Sequence, residues 1–270
     1  MKLGVLISLT DQVEDEFGKV HQFGLPTCQL NCWDAWRFTE ENALRVTAAS
    51  LKFNIEVTSL WCGWEGPAVW DFIDGPLTLG LVPVVYRQAR LQTLIKGADF
   101  AARIGAPSLT THVGFIPENS NEIEYRSLVN DLRYLASQCK TRGLDFLFET
   151  GQETPVTLLR TIEDIGLDNL GINFDPANLI LYGKGNPIDA LDVFGKYVRG
   201  MHAKDGLYPT SGRFLGKEVP LGDGKVNIKL LVKRLKELGY DGSLTIEREI
   251  TGPQQINDIL AAKRLLETLL

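Results

Sequence analysis

Acid and imidazole side chains close four consecutive strand-like runs in the second half of the chain. The runs are LDFLFET, LGINFDP, VRGMHAKD and SLTIERE, and their polar end residues are Glu149, Asp175, His202 and Glu247. Three carboxylates and one imidazole form a hard ligand set, which suits Mn²⁺, Mg²⁺ or Co²⁺ and also accommodates Zn²⁺. The pattern therefore predicts a site for one divalent metal ion, with Mn²⁺ as the expected ion, and two glutamates that are also available for proton chemistry.

Glu149 and Glu247 come from the fifth and the eighth predicted strands, so they should approach the ion from different sides. One glutamate could remove the proton next to a carbonyl and the other could return it, and such general acid–base catalysis typically contributes about 10²- to 10⁴-fold in rate. A divalent ion that chelates a sugar carbonyl and its neighbouring hydroxyl would stabilise the intervening enediolate. Each acid could instead belong to a structural ion pair, but a bare carboxylate cluster is costly, and a bound cation is the simplest way of neutralising it.

The elements that must position these residues alternate between strand-like and helix-like patterns along the whole chain. Strands are predicted at 2–9, 27–32, 54–62, 107–112, 144–149, 169–175, 198–203 and 242–247. Helices are predicted at 13–23, 39–52, 84–105, 121–142, 155–165, 187–197, 226–238 and 253–269. Strands separated by crossover helices run parallel, and eight such units are typical of a (β/α)8 barrel of about 250 residues. The predicted fold is therefore a single TIM-barrel domain that spans residues 1–270.

Two long irregular stretches lie on the side of the predicted barrel where active sites are built. Residues 63–83, rich in Gly and Pro, follow the third strand, and residues 204–225 follow the seventh. Loops after barrel strands form the catalytic face, so both stretches are candidate walls or lids.

The tryptophans have three possible roles: they could stack on the apolar face of a sugar ring, pack under a loop, or form a subunit contact. All five fall within or just after the second and third strands: Trp33, Trp36, Trp61, Trp64 and Trp70.

Composition and charge narrow the class of partner. A net charge of -6 and a pI near 5.2 disfavour a nucleic-acid surface, which requires clustered basic residues. No segment reaches the roughly 18 apolar residues of a membrane span, and the N-terminal run lacks a secretory cleavage site. The four cysteines form no Cys-x-x-Cys motif, so we expect buried free thiols. These features predict a soluble, cytoplasmic protein that acts on a small polar molecule, with neither nucleic acid nor membrane as a partner.

Five segments resemble motifs of the xylose isomerase-like TIM-barrel superfamily: FETGQETP, NFDPANL, HAKDG, PLGDGKV and TIERE. The whole chain is similar to the sugar phosphate isomerase and epimerase branch, which includes the tagatose 3-epimerase-like enzymes. This resemblance implies that Glu149, Asp175, His202 and Glu247 coordinate one divalent ion, with Glu149 and Glu247 as the catalytic acid–base pair. It also suggests a homo-oligomer, a dimer or a tetramer, as is common among barrels of this superfamily.

Two positions depart from the pattern of the ketohexose 3-epimerases. In those enzymes an Arg follows the metal-binding His by six residues and a His follows the metal-binding Asp by three. This chain has Tyr208 and Asn178 at those places. The departures argue against a simple tagatose or psicose 3-epimerase, and the identity of the sugar and its phosphorylation stay open.

Three further residues are candidates for contact with a carbohydrate substrate. His112 shares the inward parity of the predicted ligands, so it should line the pocket unless it is only a satisfied histidine at a strand end. Lys204 stands two residues beyond His202 and could neutralise a substrate oxygen or phosphate, or else pair with Asp205 or another loop acid. Trp61, at the end of the third strand, could stack on a sugar ring.

Other charged residues near the predicted site have more ordinary explanations. Arg248 takes the opposite parity to Glu247, which predicts a salt bridge in the outer layer. Arg213, Lys217 and Lys225 could bind a phosphate, but charges on a loop are usually solvated. His21 falls in a predicted surface helix and receives no role.

These features favour a divalent-metal-dependent isomerase or epimerase of a sugar or sugar phosphate, which transfers a proton through a metal-bound enediolate between two glutamates. The alternative is a metal-dependent dehydratase (lyase) of a keto-polyol or related cyclic ketone. A DNA-repair hydrolase like endonuclease IV would need more than the three histidines present and a more basic surface. A non-enzymatic sugar- or metal-binding module is also open, although binding alone does not require two opposed glutamates.

Overall fold

Eight parallel strands close into a barrel in the computed structural model, which describes residues 1–270. The barrel strands are β1 (Lys2–Ser8), β2 (Thr27–Cys32), β3 (Glu56–Cys62), β4 (Ser108–Thr111), β5 (Asp145–Glu149), β6 (Leu170–Phe174), β7 (Val198–Ala203) and β10 (Ser243–Ile246). Each strand pairs with its neighbours along the chain, and β1 pairs with β10 to close the ring. The predicted (β/α)8 barrel is therefore confirmed, with strand ends that agree to within two residues.

Helices lie between the strands and cover the outside of the barrel. They are α1 (Val13–Gln22), α2 (Glu40–Phe53), α3 (Gly75–Thr78), α4 (Val84–Arg103), α5 (Ile123–Lys140), α6 (Pro155–Ile165), α7 (Pro176–Leu181), α8 (Pro187–Phe194), α9 (Ile228–Glu237) and α10 (Pro253–Glu267). All eight predicted helices are present. The short α3 and α7, and the antiparallel pair β8 (Asp205–Leu207) and β9 (Lys217–Val219), lie outside the predicted elements, because such short segments show no periodicity.

The strands direct apolar side chains toward the helices and polar ones into the barrel. Phe174 of β6 packs on Phe194 of α8, with ring centroids 5.4 Å apart. Phe146 and Phe148 belong with them to one core of 64 buried residues. Because side chains alternate along a strand, the polar residue that ends each run points to the other side, into the mouth of the barrel.

The loop of residues 63–83, after β3, is pinned by a buried arginine. The guanidinium of Arg90 on α4 is fully buried. It donates to four backbone carbonyls at 2.6 to 3.2 Å, those of Glu65, Pro67, Thr78 and Gly80. Gly80 has a φ of +68°, and a β-carbon there would collide with the Val113 carbonyl next to β4. These contacts hold the loop closely against the barrel.

The loop of residues 204–225, after β7, is held by a buried carboxylate. Asp205 accepts four backbone N–H groups at 2.9 to 3.1 Å, from Gly206, Gly222, Gly224 and Val226. The two long loops also meet, since the N–H of Phe72 donates to the carbonyl of Arg213 at 3.0 Å. The sequence left walls and lids as alternatives for both loops, and their buried anchors favour walls.

The cysteines agree with an expectation from the sequence. All four cysteines are buried and unpaired. Burial raises the pKa of Cys32 to about 11 and that of Cys139 to about 12, so both stay as unreactive thiols at neutral pH. The helices include no segment with the length and apolarity that a bilayer crossing requires.

Candidate metal centre

The four predicted ligands lie together at the carboxyl ends of four adjacent barrel strands. Glu149 ends β5 and His202 lies near the end of β7, while Asp175 and Glu247 directly follow β6 and β10. One ligand atom from each residue lies within 4.8 Å of the others. The strands bring these residues together because all parallel strands end on the same face of the barrel.

His202 lies in the middle of three carboxylates. Its Nδ1 atom is 2.9 Å from Oε2 of Glu247, 3.2 Å from Oε1 of Glu149 and 3.8 Å from Oδ2 of Asp175. Asp175 also caps α7, since its Oδ1 accepts the backbone N–H of Asn178 at 2.9 Å. An aspartate cap followed by a proline is a favoured helix start, which explains why a short helix follows the strand and leaves Oδ2 free to face the centre.

One amide side chain holds His202 from inside the barrel, and a second holds that amide in place. The Nε2 atom of His202 lies 2.5 Å from Oε1 of Gln29 and 3.0 Å from Nδ2 of Asn173, and Gln29 donates to Oδ1 of Asn173 at 3.1 Å. The amide oxygen of Gln29 can only accept, so we assign a proton to Nε2, which directs Nδ1 at the carboxylates. Outer hydrogen bonds of this kind commonly orient metal-ligating histidines. Sequence reasoning missed both amides, whose inward parity on β2 and β6 was the available signal.

The buried atoms at the centre fit a divalent cation. Oδ2 of Asp175, Nδ1 of His202 and Oε2 of Glu247 are buried without a hydrogen-bond partner, which is rare for native polar groups. Burial lowers the pKa of His202, but the carboxylates of Glu247 and Glu149 outweigh burial and raise it well above its usual range. A hard cation would satisfy both the unpaired atoms and the negative potential, and the donor set of three carboxylates and one imidazole suits it.

The carboxylate of Glu149 is surrounded by three of the pocket residues. Trp61 donates its indole N–H to Oε2 of Glu149. Oε1 lies 3.4 Å from Nδ2 of Asn178 and 3.5 Å from Nε2 of His112. Trp61 thus contacts a predicted ligand directly, as well as offering a ring face to the cavity. His112 borders the cavity, and its buried Nδ1 atom has no partner.

Lys204 is a buried bridge between carboxylates. Its Nζ atom lies 2.8 Å from Oε1 of Glu249, 3.4 Å from Oε2 of Glu247 and 3.5 Å from Oδ2 of Asp175. Burial opposes its charge, but these carboxylates outweigh burial and raise the pKa of Lys204 well above its usual range. Of the two roles that the sequence left open, the structure shows ion pairing, with Glu249 as the loop acid rather than Asp205.

A cavity of about 380 Å³ opens beside Glu149 and Glu247. Four of the tryptophans form a cluster along one side, with ring centroids 5.0 to 6.4 Å apart: Trp33, Trp61, Trp64 and Trp70. All of these except Trp64 border the cavity, whereas Trp36 lies outside and is 65% exposed. The volume is near the lower end of the roughly 300–1,000 Å³ of small-molecule sites.

The remaining charged candidates lie outside the centre. Arg248 pairs with Glu218 and with Asp258, each at 2.8 Å, which confirms its predicted salt bridging. The other loop cations, Arg213, Lys217 and Lys225, are exposed. Asn178 lies beside Glu149, whereas Tyr208, the other departure from the ketohexose 3-epimerase pattern, is 44% exposed.

The fold and the site together define a parallel eight-stranded barrel with a cluster of three carboxylates and one histidine at its mouth. The model of the xylose isomerase-like TIM barrel family matches residues 17–269, so the chain belongs to this family. An uncharacterized protein from Methanocaldococcus jannaschii is 23% identical over 286 residues, covering 100% of this chain and 89% of that protein. Inosose dehydratase from Lacticaseibacillus casei is 26% identical over 166 residues, covering 53% of this chain and 54% of that enzyme.

Solved structures share the fold over almost the whole chain. A xylose isomerase domain protein from Planctomyces limnophilus is 38% identical, with a TM-score of 0.94, covering 99% of this chain and 96% of that one. A D-tagatose 3-epimerase-like protein is 22% identical, with a TM-score of 0.77 and coverage of 100% and 97%. A xylose isomerase-like barrel protein from Mycobacterium smegmatis, solved in complex with magnesium, is 16% identical, with a TM-score of 0.70 and coverage of 100% and 98%. The last two likenesses establish the shared fold alone.

Proposed function

We propose that this protein is a divalent-metal-dependent isomerase or epimerase of a small carbohydrate. The observation that carries the proposal is the pair Glu149 and Glu247, which border the same cavity and belong to one compact ligand cluster. Two carboxylates from different strands can address different sides of a planar intermediate, as epimerisation and isomerisation require. Membership of the xylose isomerase-like TIM barrel family supports the same class of reaction.

The residues of the cluster would hold the ion, and their neighbours prepare them for it. When bound, a divalent ion supplies Lewis acidity, which polarises a carbonyl oxygen and stabilises the negative charge that develops there. Gln29 orients His202 from inside the barrel, and Asn173 accepts a hydrogen bond from Gln29 that holds this amide in place. Lys204 offsets part of the negative charge of Asp175 and Glu247.

The two glutamates carry the proton transfers in this proposal. One takes the proton from the carbon next to the substrate carbonyl, which leaves an enediolate. The other returns a proton to the opposite face of that carbon, or to the neighbouring carbon while the hydroxyl proton moves to the former carbonyl oxygen. Trp61 and Asn178 hold the carboxylate of Glu149 in place. His112, whose buried Nδ1 atom lacks a partner, would bind a substrate hydroxyl.

A dehydratase is the second candidate, and the likeness to inosose dehydratase favours it. The same base would remove the α-proton, and a β-hydroxyl would take up a proton from the other acid and leave as water. An isomerase conserves the mass of its substrate, whereas a dehydratase releases water and creates a conjugated carbonyl that absorbs in the near ultraviolet. Product mass and absorbance therefore distinguish the two.

Exchange of carbon-bound hydrogen in D2O tests the proposal. The protein is incubated with Mn²⁺ and a panel of free sugars, inososes and sugar phosphates, and the α-C–H signals are integrated by NMR after the ion is removed. We expect exchange with at least one compound, and a rate lower by about 10²- to 10⁴-fold in Glu149→Gln, because that variant keeps the shape but loses the base.

Glu163→Gln provides the matched control, because Glu163 is exposed on α6 and its substitution removes the same charge. It should exchange at the rate of the unmodified protein. Undiminished exchange in Glu149→Gln would contradict the role of that residue. No exchange across the panel, with the ion demonstrably bound, would overturn the proposed function.

A further inference from the structure

We propose that the substrate is an uncharged polyhydroxy ketone or aldehyde, either a free sugar or a cyclic polyol ketone, and that the site discriminates against phosphate esters and sugar acids. This inference rests on the proposed function, because it names the substrate class of the same site. Two observations support it: the distribution of charge around the cavity, and the hydrogen bonds that nearby backbone amides already make to carboxylates of the protein.

The cavity offers no free cationic side chain to an anionic substituent. The acidic and basic side chains that border it are His112, Glu149, Glu247, Arg248 and Glu249. The side chain of Arg248 is only 12% exposed and is already engaged by two carboxylates, each at 2.8 Å. Lys204 is 2% exposed and lies within 3.5 Å of three carboxylates. A phosphate or carboxylate would therefore have to displace an internal ion pair in order to gain a cationic partner.

Backbone amides, the usual alternative for holding a phosphate, are occupied by the protein's own carboxylates. In TIM barrels a phosphate is frequently bound by the loops that follow the seventh and eighth strands. Here the loop after β7, the seventh barrel strand, directs four N–H groups at Asp205, at 2.9 to 3.1 Å. After β10, the eighth, the N–H of Glu249 donates to both carboxylate oxygens of Glu218, at 3.1 and 3.2 Å. In both loops, backbone amides that could bind a phosphate are thus hydrogen-bonded to carboxylates of the protein itself.

Glu249 places a further negative charge at the mouth. Its side chain is 57% exposed and borders the cavity. An anionic substituent would meet this carboxylate, which lies outside the ligand cluster. Repulsion between like charges about 4 Å apart, in an environment between bulk water and a protein surface, would weaken binding by about 10- to 100-fold.

The opposite side of the cavity suits a neutral polyol. Trp33, Trp61 and Trp70 offer aromatic faces to the C–H side of a sugar ring. Hydroxyl groups can be met by uncharged polar side chains that border the cavity: Ser8, Asn31, Asn178, Tyr182 and Gln255. The hydroxyl of Tyr182 is buried without a partner, which marks it as an available donor or acceptor.

Binding of matched pairs tests this inference. Tryptophan fluorescence is titrated with D-fructose against D-fructose 6-phosphate, D-tagatose against D-tagatose 6-phosphate, and an inosose, with and without Mn²⁺. Within a pair only the phosphate differs, and we expect the ester to bind about 10- to 100-fold more weakly than the free sugar. Equal or tighter binding of the ester, or no binding of any uncharged compound, overturns the inference.

The binding titrations and the hydrogen-exchange experiment in D2O together separate this inference from the proposed function. A protein that binds free sugars in preference to esters, yet exchanges no carbon-bound hydrogen in D2O, upholds the inference and contradicts the function. A protein that exchanges hydrogen preferentially in a phosphate ester upholds the function and contradicts the inference.

Glu249→Gln tests the contribution of charge at the mouth. Removal of this partly exposed carboxylate should narrow the discrimination between a free sugar and its ester by about 3- to 10-fold. Glu267→Gln is the matched control, because Glu267 is exposed near the end of α10 and its substitution removes the same charge. An unchanged ratio in Glu249→Gln, or an equal narrowing in Glu267→Gln, would contradict a local effect of Glu249.

Discussion

The two halves of the barrel mouth differ in charge and in the way they are built. One half, at the ends of β5, β6, β7 and β10, carries the four predicted metal ligands and Lys204. The other half, at the ends of β2 and β3 and along residues 63–83, carries the tryptophan cluster. Every acid that borders the cavity belongs to the first half. We refer to the first half as the acidic half and to the second as the aromatic half.

The two halves hold their side chains in place by different kinds of support. In the acidic half each ligand stands at or next to a strand end, where the backbone hydrogen bonds of the barrel fix its place. In the aromatic half, Trp64 and Trp70 stand on a loop whose course depends on Arg90. Substitutions in the acidic half should therefore remove metal binding, whereas those in the aromatic half should weaken substrate binding and loosen the loop.

The largest expected effect follows from the loss of a ligand. The loss of a hydrogen bond to a metal ligand typically lowers metal affinity by roughly 10- to 100-fold. Asp175→Ala should lower the affinity for Mn²⁺ by more than this, because it removes an oxygen that is predicted to bind the ion directly. Trp33→Ala, in the aromatic half, should leave that affinity unchanged. Isothermal titration calorimetry with Mn²⁺ measures both. Similar losses in the two variants would remove the distinction between the halves.

A second effect concerns a buried acid of the acidic half that lies outside the ligand cluster. Burial raises the pKa of Glu153 from its ordinary value of 4.5 to about 7. Between these values the unfolded chain releases its proton while the folded chain keeps it, so the free energy of unfolding falls as the pH rises. Below pH 4.5 the contribution is absent, and above pH 7 the loss is complete at about 3 kcal/mol.

Urea unfolding of the metal-free protein between pH 5 and pH 8 measures this contribution, and Glu153→Gln should abolish it. The variant should therefore be less sensitive to pH than the unmodified chain across this window. Identical pH profiles for the two proteins would show that Glu153 does not titrate there.

The smallest expected effect tests the support of the aromatic half. Burial lowers the pKa of Arg90 to about 10, so the guanidinium is still charged at neutral pH. Arg90→Met leaves four carbonyl groups without this donor, and we expect a loss of about 2 kcal/mol in the free energy of unfolding. Cleavage by protease within residues 63–83 should also become faster, while Mn²⁺ affinity stays unchanged.

Arg103→Met is the control, because Arg103 is exposed on the same helix, α4. It should change neither the stability nor the rate of cleavage. Equal behaviour of the two variants would mean that Arg90 does not support the loop.

The strand-end ligands could be found in the sequence because each follows an alternating apolar run, a pattern that is local in the chain. Gln29 and Asn173 could not be singled out, since a polar residue of inward parity has the same appearance whether or not it meets a histidine. Arg90 was hidden for a different reason. An arginine on a helix is usually exposed, and this one is buried only because a loop folds back over it.

Local patterns along the chain were enough to predict the barrel and the four residues that meet at its mouth, because periodicity and strand-end polarity involve neighbouring positions. Three other features are set by folding: Lys204 is bound by three carboxylates, Trp61 donates to Glu149, and the loop after β7 turns its amides toward Asp205. These facts depend on distances between residues far apart in the chain. Residue type states which bonds a side chain can form, and the packing of the fold decides which of them it does form.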